Sequence, residues 1–411
     1  MNTLASSYDI AVKTTETQYP RVNSVNNYIH WLPYADMMNV DKTDTDFTIF
    51  NDSTTLSGNL LLESAGLSGG GKMDLNNSDL QSDLFTYKAY DIFSDTADFY
   101  LKSLHTEGFT VLTDNINAHI NYQQMKGWFR SNEDFTLVNF PDNKYVSYID
   151  YFIWDMMRKE LAMGSKTDSV EVDYTDEDSE PEGPRYISLH HEQDSLNFIS
   201  PLAYYDYEKN HINAKGVKFI EVADARIYPN EGNVTVERDA KMRTLEDARI
   251  RTNKETKFHT IHSASLNITG KNFYLGFGNY DYMDETGEIQ IIHFDEIKVD
   301  SSLQTIAGGD IFESANFHLS PVYQFQGRSF LKSSDPLLTF TGGVRIEHNC
   351  DQIMPQWLYF NTRIHPFNIY IPLPEQPVNI DRDKIYAGMF MYYDSVTGFH
   401  IHYGFNILVV A

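Results

Sequence analysis

The stretch from Lys218 to Asp300 constrains the fold more than any other part of the chain. Phe219-Ile220-Glu221-Val222 and Ala225-Arg226-Ile227-Tyr228 lead through Pro229-Asn230-Glu231-Gly232 to the alternating Val234-Thr235-Val236. The same grammar returns in His262 to Ile268, in Tyr280-Asp281-Tyr282 and in Glu288 to Ile292. Alternating apolar and polar positions, rich in β-branched and aromatic residues and cut by Gly, Asn and Asp, mark half-buried antiparallel strands. No catalytic motif interrupts this run.

The rest of the chain repeats the grammar irregularly. Ala, polar, apolar, any, apolar occurs at Ala97 to Leu101, Ala223 to Ile227, Ala264 to Ile268 and Ala315 to Leu319. A second form, strand, polar turn, strand, occurs from Tyr205 to Ile212 and from Tyr280 to Ile289, with a looser copy from Gly71 to Leu80. Variable spacing excludes a strict solenoid. It predicts an all-β fold: an elongated stack of antiparallel strand pairs, an open β-jellyroll or β-solenoid-like array, each pair burying its apolar face on the next. The alternative is a large β-sandwich. The one stretch with some helical character, Tyr148 to Met163, is read as two strands joined at Met157-Arg158-Lys159-Glu160.

Three regions are expected. Residues 1–45 read as an irregular lead-in. Residues 46–341 form the repetitive β domain. Residues 342–411 form a C-terminal β segment where Trp357, Phe360, Phe367 and Tyr370 mix with Pro355, Pro366, Pro372, Pro374 and Pro377. Proline cannot donate to a ladder, so edge and connecting structure is expected there, with a boundary near Gly342-Gly343. Residues 166–184 read as an acidic loop. Eight carboxylates lie between Asp168 and Glu182, a density that repels itself and buries no apolar area. A calcium site there would need several converging carboxylates, but the EF-hand spacing is missing.

Charge and cysteine content exclude several functions. A formal net charge of -26 opposes binding to nucleic acid or to anionic lipid surfaces. The single cysteine, Cys350, excludes an intrachain disulfide and a cysteine-built zinc site. The start of the sequence has no basic and apolar leader, and no apolar run approaches the roughly 20 residues of a spanning helix. No transmembrane segment is expected.

Candidate chemistry is sparse. Gly66-Leu67-Ser68-Gly69-Gly70-Gly71-Lys72-Met73 nearly matches a phosphate-cradling loop, but Met73 stands where a magnesium-holding hydroxyl belongs. It reads instead as a glycine-rich hairpin turn. The histidine pairs His190/His191, His259/His262 and His400/His402 lack the three or four converging ligands that zinc requires. No nucleophile elbow is present. Trp31, Trp128, Trp154 and Trp357 have apolar neighbours and are expected in the core. No catalytic, cofactor-binding or metal-binding residue is singled out, and no cofactor is expected.

The texture from about Phe47 to Ile401 resembles a family of large, uncharacterised, β-rich envelope proteins of Bacteroidetes. The residues that carry the resemblance are Gly69 to Asp74, Gln193 to Phe198, Thr244 to Ile250 and Gly342-Gly343-Val344. The Ala-led strands are also similar to the repeats of the organic-solvent-tolerance (OstA-like) family, open β-jellyrolls that pass lipopolysaccharide across the periplasm. The resemblance implies a cell-envelope location, periplasmic or outer-membrane associated. It implies a non-enzymatic scaffold, or a β protein that binds lipid, glycolipid or neighbouring segments of the same longer protein. Envelope members are longer and carry an export signal, so the chain reads as part of a longer protein, and the apolar ending Asn406 to Ala411 agrees. A complete cytoplasmic protein is the rival reading. The alternative function, from the acidic and aromatic composition, is a carbohydrate-binding or carbohydrate-active β protein.

Overall fold

A computed structural model describes residues 19–50, 54–164, 179–347, 356–372 and 374–386, with the backbone of five short strands outside these stretches. The described residues are all-β. Their only helical pieces are four three-residue 3-10 turns, and no described helix is long and apolar enough to cross a membrane. The chain divides into two compact units: residues 1–219 with 231–243, and residues 220–230 with 244–411.

In the first unit five long strands pair antiparallel in sequence order: Thr55–Glu63, Gly66–Asp74, Ser78–Tyr87, Asp91–Lys102 and Phe109–Asn121. Their register slips between Gly69 and Gly71 and between Ser94 and Ala97. Such bulges bend a strand and increase its twist. Past the bend, each long strand belongs to a second layer. The layers separate fully after Phe109–Asn121. Its residues 116–121 pair with Lys126–Ser131, whereas Leu112 pairs with Asn139 of Thr136–Phe140.

One layer then continues through Tyr151–Asp155, Glu160–Gly164, Leu202–Asp206 and His211–Lys215. The other continues through Tyr145–Ile149, Arg185–Ser188 and Asn197–Ile199. At the bend, hydroxyls replace ladder bonds. Ser82 Oγ and Ser94 Oγ lie 2.8 Å apart and donate to the Thr96 carbonyl at 2.7 and 2.9 Å. A buried carbonyl without a partner would cost about as much as a lost hydrogen bond, so these serines make the corner possible.

The layers face each other across rings. Phe99 from one layer lies 4.5 Å from Phe129 and 5.4 Å from Trp154 in the other, and Phe140 lies 5.1 Å from Tyr205. All of these rings are essentially inaccessible, and they fill the space between the layers.

The second unit repeats the plan. Leu245–Thr252, His259–Gly270, Phe273–Met283 and Ile289–Val299 pair in order, with slips at 245/248, 262/265 and 276/278. Thr305–Ile311, Tyr323–Lys332, Leu338–Ile346 and Leu358–Ile364 continue the sheet, Ile220–Val222 and Ala225–Tyr228 extend its other edge, and Phe317–Ser320 pairs with Tyr323–Lys332. Phe340 is the hub of its core, with Phe325 at 5.1 Å and Tyr282 at 5.7 Å, both edge-on.

Several sequence expectations meet the structure here. Two of the four Ala-led repeats, at Ala97 and Ala264, fall just past a bend, where both alanines are buried. A small side chain fits the inside of a corner. The other two belong to a turn at Ala223 and a 3-10 turn at Ala315. The strand-turn-strand form is real: hairpins turn at 207–210 and 284–287. The tips that follow Asp155 and Asp206 reuse one device. Asp155 accepts from the backbone N–H groups of Met157 and Arg158, and Asp206 from those of Glu208 and Lys209, all at 3.0 to 3.1 Å. The stretch from Tyr148 to Met163 is strand rather than helix, but the turn falls at 156–159, Glu160 opens the next strand, and Tyr148 and Ile149 end the preceding one.

Within residues 1–45, Val22–Ser24, Asn27–Leu32 and Met37–Lys42 are strands of the first unit. Gly342 and Gly343 lie inside Leu338–Ile346, paired on both sides. Residues 179–184 are irregular, while Asp168 to Asp178 lie outside the described residues, as do Cys350, Pro355, His400 and His402.

Candidate apolar cleft

Between the strands Val22–Ser24, Met37–Lys42 and Thr55–Glu63 of the first unit lies an apolar cleft. Alternation builds one wall. Met38 and Val40 point to the same side of Met37–Lys42, and Leu60 and Leu62 to the same side of Thr55–Glu63. The register sets Met38 opposite Leu62, Val40 opposite Leu60, and Leu62 opposite Leu67 of the next strand. Val22, from a strand paired to Phe47–Ile49, supplies the other wall with Tyr19 and Pro20.

Val22, Val40, Leu60 and Leu67 are buried, whereas Met38 and Leu62 are half-exposed at the rim. The Tyr19 hydroxyl donates to the Glu63 carbonyl at 3.4 Å and ties the lid to the wall. The free space is about 20 Å³, the room of a water molecule. The cleft is therefore narrow, with Tyr19, Met38 and Leu62 half-exposed at its rim. Among the described residues its lining offers apolar contact and no polar side chain except the Tyr19 hydroxyl.

The glycine-rich stretch is not a hairpin turn. It lies inside Gly66–Asp74, at the bend, and the turn is Ser64-Ala65. Lys72 pairs with the buried Asp79 at 2.6 Å, and Lys102 approaches the same carboxylate at 3.1 Å. The glycines are needed because strands approach closely there: a Cβ on Gly70 would overlap the Asp83 carbonyl.

The described histidine pairs do not converge. His259 is buried, its Nε2 2.6 Å from the Asp335 carbonyl and its Nδ1 3.2 Å from the Tyr280 hydroxyl. Burial pushes its pKa down. His262 lies on the opposite face, 3.0 Å from Asp281. His190 and His191 stack at 4.8 Å. Among the described residues no three His, Cys, Asp or Glu side chains are placed to hold a metal ion.

Only one tryptophan packs the core as expected. Trp154 is buried, but Trp31 is 67% exposed. Trp128 is half-buried on the outer face, where it stacks on His119 at 5.0 Å. Phe93 stacks on the other side of His119 at 4.3 Å. Trp357 lies under the Arg345 guanidinium, 4.4 Å from the ring. Apolar neighbours in sequence do not set the face of a strand residue; parity does, and Trp128 sits one position from the buried Phe129.

The cleft residues were not legible as a site. The signal was present as the alternation Met38-Asn39-Val40-Asp41, within a stretch whose polar residues masked its strands.

The fold defines an all-β protein of two antiparallel units made of corner-bent strands. Comparison with known protein families, with curated proteins and with solved structures finds no match.

Proposed function

We propose that this chain is a non-enzymatic β scaffold of the cell envelope that receives an apolar chain in the cleft at the start of its first unit. The occupant is a lipid or glycolipid acyl chain, or a further β segment of a longer polypeptide. One observation carries the reading. Apolar side chains of Val22–Ser24, Met37–Lys42 and Thr55–Glu63 converge there, whereas farther along the layers are filled by Phe99, Phe129, Phe152 and Trp154. Displacing Tyr19 and Pro20 would expose Val22, Val40, Leu60 and Leu67, and an apolar occupant recovers roughly 25 cal/mol for each Å² it covers. The envelope location rests on the family resemblance, and the acidic surface is in keeping with a partner held by apolar contact.

Native mass spectrometry of the 411-residue chain with its co-purifying molecules tests this. An added lipid or glycolipid mass that Leu62→Asp abolishes supports the cleft. A bare mass that takes up neither phosphatidylcholine nor glycolipid on titration removes the lipid occupant and leaves the scaffold role alone.

The carbohydrate reading finds its best support in the Phe93–His119–Trp128 column, beside Asp91, which lies 2.8 Å from His119. Sugars stack on ring faces, however, and His119 has both faces covered, while Phe93 and Trp128 each turn one face to it. Affinity electrophoresis in soluble polysaccharide, with Trp128→Ala as the variant, separates the two readings.

A further inference from the structure

The hairpin made by Phe273–Met283 and Ile289–Val299 is apolar on both of its faces. Inward, Tyr274, Tyr282, Ile292, Phe294 and Ile297 are buried in the second unit. Outward, Phe273, Leu275, Phe277, Met283, Ile289 and Ile291 are 45 to 62% exposed. Strands that are apolar on both sides are normally covered on both sides. The adjoining strand His259–Gly270 obeys the ordinary rule instead and turns His262, Ser265, Asn267 and Thr269 outward. The apolar stripe therefore belongs to one hairpin and is not a general property of the sheet.

The outward apolar residues form two groups, Phe273, Leu275 and Phe277 on one side of the bend and Met283, Ile289 and Ile291 on the other, with Asn279, Asp281 and His293 between them. Met283 lies opposite Ile289, and Asp281 opposite Ile291. The ring of Phe277 lies 6.0 Å from His293, which joins the two arms across the bend. Exposed apolar stretches of this kind mark contact surfaces.

Charge selects the occupant. Residues 273–299 contain six carboxylates (Asp281, Asp284, Glu285, Glu288, Asp295 and Glu296) against one lysine, Lys298, so the hairpin carries a formal -5. Asp281, Glu285 and Glu288 are exposed beside the apolar residues, Asp281 3.0 Å from His262, while the exposed Asp295 lies 3.7 Å from Arg328. A second copy would bring the same carboxylates to an isologous contact, and an anionic surface would be repelled. A partner with apolar residues flanked by Lys or Arg satisfies both features.

We propose that the outward face of hairpin 273–299 docks a cationic amphipathic polypeptide segment. The segment lays its apolar side chains on Leu275, Phe277 and Ile291 and sets its Lys or Arg residues against Asp281, Glu285 and Glu288. This surface is separate from the cleft, and the proposal stands if the cleft reading fails.

Fluorescence anisotropy of the full chain with two labelled synthetic peptides, one alternating Leu with Lys and one alternating Leu with Glu, tests it. The Leu/Lys peptide is expected to bind, to weaken with added salt, and to lose about tenfold in affinity in the Phe277→Thr/Ile291→Thr double variant, a change of about 1.4 kcal/mol. Leu275→Thr should lose affinity in the same direction, and Tyr34→Ser should lose none. A thermal midpoint equal to that of the unaltered chain certifies the fold of each variant. Four outcomes overturn the proposal: equal binding of the Leu/Glu peptide, undiminished binding by the folded variants, a concentration-dependent dimer that the double variant abolishes, and phosphatidylcholine-vesicle binding that it abolishes. The last two assign the face to a second copy or to a lipid surface.

Discussion

The Gln290 side chain forms a two-point bond with the backbone of His318: its Nε2 donates to the His318 carbonyl at 2.7 Å, and its Oε1 accepts from the His318 N–H at 2.8 Å. The strand Ile289–Val299 pairs with Thr305–Ile311 only over Glu296 to Val299. Nearer its start, a side-chain amide does what a neighbouring strand would do, and ties it to Phe317–Ser320.

Gln290→Leu should therefore destabilise the second unit by about 1–3 kcal/mol, because both backbone groups of His318 lose their partner in a part-buried site. Gln290→Glu should fall between the two, since a carboxylate can accept from the N–H but cannot donate to the carbonyl. Urea unfolding measures both. A midpoint unchanged in Gln290→Leu would mean that water replaces the amide without cost.

At the bends, close approach of strands forbids a side chain. A Cβ on Gly276 would overlap the Ser265 carbonyl, a backbone atom that cannot step aside cheaply. Gly276→Ala is expected to cost more than about 2 kcal/mol, at the upper end of ordinary substitutions. Differential scanning calorimetry reads this loss, and an unchanged transition would show that the bend is soft.

His259 gives the second unit an acid sensitivity. Its folded pKa lies below the ordinary 6.5, with burial as the leading cause. The unfolded chain therefore binds a proton more readily than the folded one. This contribution is fully present above pH 6.5 and is lost as the pH falls from there towards the folded pKa. His259→Gln, whose amide N–H can donate to the Asp335 carbonyl, should flatten the fall in melting temperature between about pH 7 and 5. Parallel pH profiles of the two proteins would show no convergence if the histidine were not the group responsible.

The four tryptophans differ in ways that a quencher can read. Iodide should quench Trp31 strongly and Trp154 very little, given their 67% and 1% exposure. Trp31→Phe should therefore remove much of the quenchable emission, while Trp154→Phe should lower emission and leave the quenchable part in place. The reverse order would contradict the faces assigned to these strands. Separately, Phe99→Ala should cost about 3–5 kcal/mol through the cavity it leaves among Phe129, Phe152 and Trp154.

The hairpin from Tyr205 to Ile212 is legible because its turn chemistry is local: Asp206 caps the N–H groups of Glu208 and Lys209 with its own side chain. Gly69 to Gly71 look like a turn by the same local rules, yet they lie in mid-strand, because what requires glycine is Ser57 and Asp83 on neighbouring strands. The cleft and the outward stripe were missed for a related reason. Alternation tells which residues share a face, but not which face has a neighbour.

The sequence alone therefore determined the all-β class, the antiparallel hairpins and their turns, because propensity and period-two alternation act over a few adjacent residues. Only the tertiary structure decided where each strand bends, which layer each half joins, and which tryptophans are inside. Those depend on register between strands as far apart in sequence as Glu160 and Asp206, and a shift of one residue exchanges every inward side chain for an outward one.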